Sequence, residues 1–393
     1  MRTRLLHVVA LAALTACGTA PSSVAEASNS TQSGPASNVR PFKVTPVAEF
    51  GSPWAMDFLP GSGVPKTNLA LLTEREGKLW LVDVGTGKKQ EVSGVPQVKV
   101  AGQGGLGDVV VHPDFAGNQR VYLSFVEPGP DGTSGAAVGY GRLLFTSAAT
   151  PGAPAGVSLQ DFKVIWRQTK IDSDGHFSHR IVFAPDGTMF VTSGERMKGD
   201  PAQDMGNNLG KVLHLTAEGA PAPGNPWASK GGVAGTFWTI GHRNLLGLAF
   251  APDGRLWETE MGPMGGDEVN LIQPGKNYGW PRVSYGSNYD GSGIPDDHKG
   301  KGFEEPKLWW NPSISPGGLL IYTGGLFKAW KGDALIPALS GQALIRVDIN
   351  GDQARKADQW DMDNRIRAVD QGPGGEVYLL EDGGRLLRLD PAT

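Results

Sequence analysis

The sequence predicts an all-β protein, a six-bladed β-propeller of four-stranded antiparallel blades. Three observations carry this. A strand–turn–strand phrase recurs six times, its turns are built from Pro, Asp and Gly, and almost no stretch sustains a helical period. The 57 glycines and 29 prolines suit a chain of many tight turns.

Taken in chain order, Arg2 and Arg4 precede a short apolar run over residues 5–14. That run is too short to span a bilayer and suits a secretion signal. Leu14-Thr15-Ala16-Cys17 then resembles a bacterial lipobox, which would make residues 1–17 a lipoprotein signal and Cys17 an acylated residue. Cys17 is the single cysteine, so no disulfide forms within one chain. Residues 18–40 are rich in Ser, Ala and Pro and read as a disordered tether. These features would place the protein in the bacterial periplasm, lipid-anchored at the outer membrane and touching the membrane through that anchor alone.

The folded part is expected over 41–391. Its phrases run WAMDFLPG…NLALLTEREGKLWLVD (54–83), LGDVVVHPDFAGNQRVYLSF (106–125), RIVFAPDGTMFVTSGE (180–195) and GLAFAPDGRLWETE (247–260). GGLLIYTGGLFKAWKGDALIPAL (317–339) and IRAVDQGPGGEVYLLED (366–382) complete the set. Asp186-Gly187 and Asp253-Gly254 are hairpin signals, because Gly accepts the positive φ the return strand needs. A spacing of roughly 50–75 residues suits four-stranded blades with long loops. A β-sandwich or two β domains is the competing architecture, but no Pro/Ser-rich linker divides 41–391. Segments 126–160 and 285–306 are expected to be loops at the channel mouth.

With 36 basic against 40 acidic residues and no basic run, nucleic acid is not an expected partner. Chemistry concentrates at 238–281, where His242, Arg243 and Asn244 share one loop and Asp267 and Glu268 another. A guanidinium, a carboxamide and two carboxylates on loops suit an anionic ligand and a metal ion.

GQGGLGDVVVHPDF (102–115), HFSHRIVFAPDG (176–187), GHRN (241–244), GPMGGDEVN (262–270), GKNYGWP (275–281) and DNRIRAV (363–369) follow one another in this order. Together they closely resemble the soluble aldose sugar dehydrogenase and glucose dehydrogenase family, which uses pyrroloquinoline quinone (PQQ). The resemblance spans 41–391 and implies a six-bladed propeller with PQQ and Ca2+ on its central face. It implies His176 as the catalytic base. An imidazole near its ordinary pKa can take the sugar hydroxyl proton as hydride leaves carbon. Arg243 and Asn244 match the residues at the quinone oxygens, Arg243 being catalytic as well as cofactor-binding. Arg365 and Arg367 match an arginine pair that meets the cofactor carboxylates, and i, i+2 spacing on a strand puts both on one face. Gln103 and Ser313 complete the implied cofactor contacts. For calcium, Gly262 and Pro263 match carbonyl ligands, Glu268 and the Tyr278 carbonyl match a second, structural site, and Asp267 adjoins it.

The chain departs from that pattern at three places. Ser340 or Gly341 stands where relatives carry a Lys, bulky His179 where they carry a small residue, and Met261 where they often place a polar side chain. His112 and His214 read as strand or turn residues and His298 as a solvated loop residue. The function implied is oxidation of an aldose to an aldonolactone. An external electron acceptor is needed, because no C-x-x-C-H haem motif is present. The alternatives are a non-catalytic propeller that binds a sugar or an envelope partner, and a metal-dependent lactonase, for which one acidic pair is a poor match.

Overall fold

The structure, a computed structural model, describes residues 39–61, 68–146 and 156–392. The signal segment, Cys17 and the tether up to residue 38 lie outside the described residues. Six four-stranded antiparallel sheets form the six blades of a β-propeller. Helix is almost absent: one four-residue turn, Phe115–Asn118, and a few 3-10 segments among the described residues.

Each recurring phrase opens on the first strand of a blade. These inner strands are Pro53–Phe58, Leu106–Val111, Ser178–Phe183, Leu245–Phe250, Leu320–Ile321 and Ile366–Gln371. The Asp-Gly turns form as expected, with Gly187 at φ 82 and Gly254 at φ 86. Second and third strands are buried nearly throughout. Leu69–Glu74, Met189–Ser193 and Val377–Glu381 have no exposed position, because blade faces pack against neighbouring blades on both sides. Leu71, Leu72 and Trp257 are fully buried, and each such side chain stabilises the fold by about 1.5–3 kcal/mol.

Five blades keep their own four strands, but the sixth borrows one. Phe42–Glu49 pairs with Arg385–Pro391, from Phe42 opposite Pro391 to Glu49 opposite Arg385. The strand that precedes the first phrase is therefore the outer strand of the last blade, and it closes the ring.

Two expectations need correction. Where it is described, segment 126–160 is not a mouth loop: Arg120–Pro128, Ser134–Thr146 and Gly156–Arg167 are three long strands of the second blade. Its small residues misled, since Gly135, Gly139 and Gly141 sit where a Cβ would strike the adjacent strand. His298 is not solvated. It is 2% exposed and stacks on Tyr285, which in turn stacks on Trp309.

Candidate active site

In five blades the inner strand begins with a break in register, at Pro53/Ala55, Leu106/Val109, Ser178/Ile181, Leu245/Gly247 and Ile366/Ala368. A bulge bends the strand and re-aims its side chains. Residues at or just before these bulges surround a central cavity of about 240 Å³. Gln103, Asn244, Arg365 and Arg367, which are distant in sequence, meet on its wall. The lining holds three arginines, with Arg75 as the third, and no carboxylate.

His176 adjoins this cavity. It is 6% exposed, while Phe177, Ser178 and His179 after it supply the wall. The segment is strained: His176, Ser178 and His179 have φ of 46, 60 and 61. Left-handed backbone costs non-glycine residues about 1–3 kcal/mol each and collects at functional sites. Gln103 Oε1 accepts the His176 N–H at 2.7 Å. The ring Nδ1 is hydrogen-bonded to Glu195 Oε1. Glu195 is itself fixed by the amides of Met197 (3.1 Å), Lys198 (2.6 Å) and Gly199. Burial alone would raise the Glu195 pKa, but His176 and these amides outweigh it and bring it below the ordinary value. A carboxylate acceptor puts the imidazole proton on Nδ1 and leaves the Nε2 lone pair free. Burial lowers the His176 pKa more than Glu195 raises it, so the ring is neutral and basic at Nε2.

Arg365 and Arg367 share one partner. Asp382 accepts Arg365 Nε at 2.9 Å on one oxygen, and Arg367 Nε (3.0 Å) and Nη2 (2.7 Å) on the other. Burial would raise Asp382, but Arg367 and Arg365 hold it below its ordinary value. The carboxylate fixes both forks while leaving net positive charge at the cavity. Asn244 Oδ1 accepts from Ser178 Oγ at 3.1 Å.

Arg243 does not line this cavity. Its Nη1 donates to the carbonyls of Met261 (3.0 Å) and Gly262 (2.7 Å), and its Nη2 to Tyr289 Oη (3.0 Å). The guanidinium lies 5.2 Å from the Trp280 ring centroid, and its buried Nε has no partner. A donor left open in this way fits a residue that meets a ligand.

Asp267 braces the loops. Oδ1 accepts the Gly262 N–H at 2.9 Å; Oδ2 accepts Ser313 Oγ (2.6 Å) and the amides of Ile314 and Ser315 (both 2.7 Å). Four donors occupy this carboxylate, so it ties Gly262 and Pro263 to the 313–315 turn. Ser313 therefore faces Asp267, and Ser315 is the residue of that turn on the cavity wall. Ser340 donates to the Ser313 carbonyl at 3.2 Å and to Ser315 Oγ at 2.8 Å.

Glu268 belongs to a separate, smaller pocket of about 10 Å³, which Glu260, Gly262 and Tyr278 also line. Opposed positions on neighbouring strands, Glu260↔Glu268 and Glu258↔Asn270, stack three carboxylates on one face. Asn270 Nδ2 reaches all three, at 3.2 Å to Glu258, 3.3 Å to Glu260 and 3.1 Å to Glu268. Glu258 Oε1 and Asn270 Oδ1 are buried without partners. Burial and repulsion from Glu260 push both Glu258 and Glu268 well above the carboxylate range. Ligand atoms of His242, Glu258 and Glu260 lie within 4.8 Å of one another. Crowded buried carboxyl groups that only a cation would hold ionised, with unpartnered oxygens in the cluster, fit a hard cation such as calcium. Tyr278 stacks on His242 at 4.5 Å and donates to the Leu271 carbonyl at 2.6 Å.

The sequence reading missed Glu195, Asp382, Glu258 and Glu260. A signal was present: four phrases carry an acid at or just past the end of the second strand, at Glu74, Glu195, Glu260 and Glu381-Asp382.

The chain is 38% identical over 348 residues to the aldose sugar dehydrogenase YliI of Escherichia coli, covering 86% of this chain and 90% of that one. The apo soluble aldose sugar dehydrogenase structure from E. coli superposes with a TM-score of 0.81 at 37% identity, covering 89% of this chain and all of the other. The PQQ-bound aldose sugar dehydrogenase of Streptomyces coelicolor gives 0.70 at 29% identity, covering 89% and 98%. The sequence model of the glucose/sorbosone dehydrogenase family matches residues 50–388, and the chain is an oxidoreductase belonging to that family.

Proposed function

We propose that this chain oxidises aldose sugars at C1 to aldonolactones, with PQQ and calcium. The observation that carries this is the His176–Glu195 pair set beside a cavity whose wall offers arginines and amides and no carboxylate. The PQQ-bound relative from Streptomyces coelicolor supports the choice of cofactor.

His176 Nε2 takes the proton of the anomeric hydroxyl while the C1 hydrogen departs with its electron pair as hydride, leaving a lactone. Glu195 orients the ring and stabilises the imidazolium that forms. Arg365 and Arg367 hold cofactor carboxylates, their forks preset by Asp382. Asn244 and Gln103 orient the bound groups, and Arg243, which lines the adjoining pocket, is the further donor assigned to a quinone oxygen. Bound PQQ supplies the two-electron hydride acceptor, which calcium held by the Gly262 and Pro263 carbonyls would polarise. A second calcium fits the pocket of Glu268, Glu260 and the Tyr278 carbonyl. An external acceptor takes the electrons onward, and acylation at Cys17 would tether the protein at the periplasmic face of the outer membrane.

The test is reconstitution. Apo-protein given PQQ and calcium should reduce a redox dye when supplied with aldoses, and no turnover across a broad aldose panel would sink the proposal.

A further inference from the structure

His179 carries an inference that rests on the cofactor reading above. It departs from the family's small residue, and the structure shows what admits it. Residue 107 is glycine, and a Cβ there would lie 2.0 Å from His179 Cε1. The imidazole occupies space that any other residue at 107 would claim. Its ring stacks on Trp54, with centroids 5.2 Å apart and planes at 12°. It lies on the wall of the central cavity with Gln103, Asn244, Arg365 and Arg367.

Counting protons fixes its tautomer. Ser124 Oγ accepts the Asp108 N–H at 2.8 Å and lies 2.7 Å from His179 Nδ1. Ser124 is fully buried, and among the described residues its hydroxyl proton has no other acceptor than Nδ1. With Ser124 Oγ donating to Nδ1, the ring proton sits on Nε2, and no side-chain hydrogen bond among the described residues engages that nitrogen. Burial, with help from Arg180 and Arg196, pushes the His179 pKa down to about 3, so the ring is neutral. His176 and His179 are thus opposites, one with an open lone pair and one with an open N–H.

We propose that His179 is a further cofactor-holding residue, whose Nε2–H donates into the cavity to an oxygen of the planar, anionic quinone. It adds a donor to a wall that already carries Gln103, Asn244, Arg365 and Arg367.

The test is calorimetric titration of apo-protein with PQQ in the presence of calcium, for wild type, His179→Phe and His179→Gln. Phe keeps the ring against Trp54 and removes the donor; Gln restores an N–H. His179→Phe should weaken binding about tenfold, the loss of one hydrogen bond to a charged group, and should also lower the Tm because the buried Ser124 hydroxyl loses its acceptor; His179→Gln should recover most of the binding. The ratio of wild-type to His179→Phe affinity should stay constant from pH 6 to 8. Binding by His179→Phe as tight as wild type or tighter would make His179 a space-filler and overturn the proposal. A ratio that grows on acidification would mean an imidazolium and overturn the neutral donor. Should the Phe variant unfold, His179→Leu serves the same comparison. If wild type takes up no PQQ, the cofactor reading falls and this inference with it; if wild type binds and the variants do not differ from it, this inference falls alone.

Discussion

The central cavity and the small pocket in the fourth blade are opposites built side by side. The first is walled by arginines and amide donors and has no carboxylate. The second is lined by Glu260 and Glu268, which share one amide with Glu258, and the unpartnered oxygens of Glu258 and Asn270 belong to the same cluster. Met261 lines both, and Arg243 lines the second with its backbone N–H on Glu260 at 2.6 Å. The difference teaches how ligand sign is set. The first keeps positive charge that Asp382 only partly offsets, and the second drives Glu258 and Glu268 toward the neutral form, so the missing partner names the ligand: an anion for one, a cation for the other.

The comparison can be broken at several points. The largest effect belongs to His176→Ala, which should cut turnover by roughly 10²–10⁴-fold and leave PQQ affinity near wild type. Full activity in steady-state assays would remove His176 from the chemistry. Glu195→Gln should follow, at about 10²-fold in kcat, because an amide can accept a ring proton but cannot balance an imidazolium; an unchanged kcat would leave Glu195 a packing residue.

On the anion side, Arg365→Ala or Arg367→Ala should weaken PQQ binding by about 10–100-fold, the loss of charge-assisted hydrogen bonds. Calorimetry showing equal affinity would mean that the wall does not read carboxylates. On the cation side, calcium should raise the Tm of chelator-treated protein by several degrees, and Glu268→Gln should erase most of that gain. A Tm indifferent to calcium would sink the cation pocket.

The smallest effect concerns acid. His179 has its folded pKa depressed to about 3, against about 6.5 in an unfolded chain. Between those values the unfolded chain binds the extra proton, so stability falls as pH drops from about 6.5 toward 3. His179→Phe should lose that part of the slope in Tm measured at pH 7, 5 and 4. Parallel curves would count against a buried neutral ring.

Much of the fold was legible because each blade repeats one physical problem, a buried strand pair turned by Gly. Ring closure was not. FKVTPVAE at 42–49 alternates only partly, with Pro46 within it and no turn partner nearby, and its mate lies some 340 residues on. At the site, motifs gave the cavity's arginines and amides but not the acids that set them. Glu195 and Asp382 lie just past the ends of their strands, where no strand pattern marks them, and Glu258 and Glu260 look like ordinary polar strand positions in WETE. Bulges are equally silent in sequence, yet they turn Ser178 and Arg367 toward the axis. Asp267 shows the converse: a carboxylate in a metal-like motif that spends all its acceptor capacity on loop amides and a hydroxyl.

Ring closure has a consequence for how the molecule is made. Its first strand waits for its last, so a chain emerging in order from the ribosome holds an unpaired edge until residue 391 is available. Arg365, Arg367 and Asp382 belong to that final blade. The cavity cannot exist on a nascent or truncated chain, and any cofactor must be loaded after synthesis is finished.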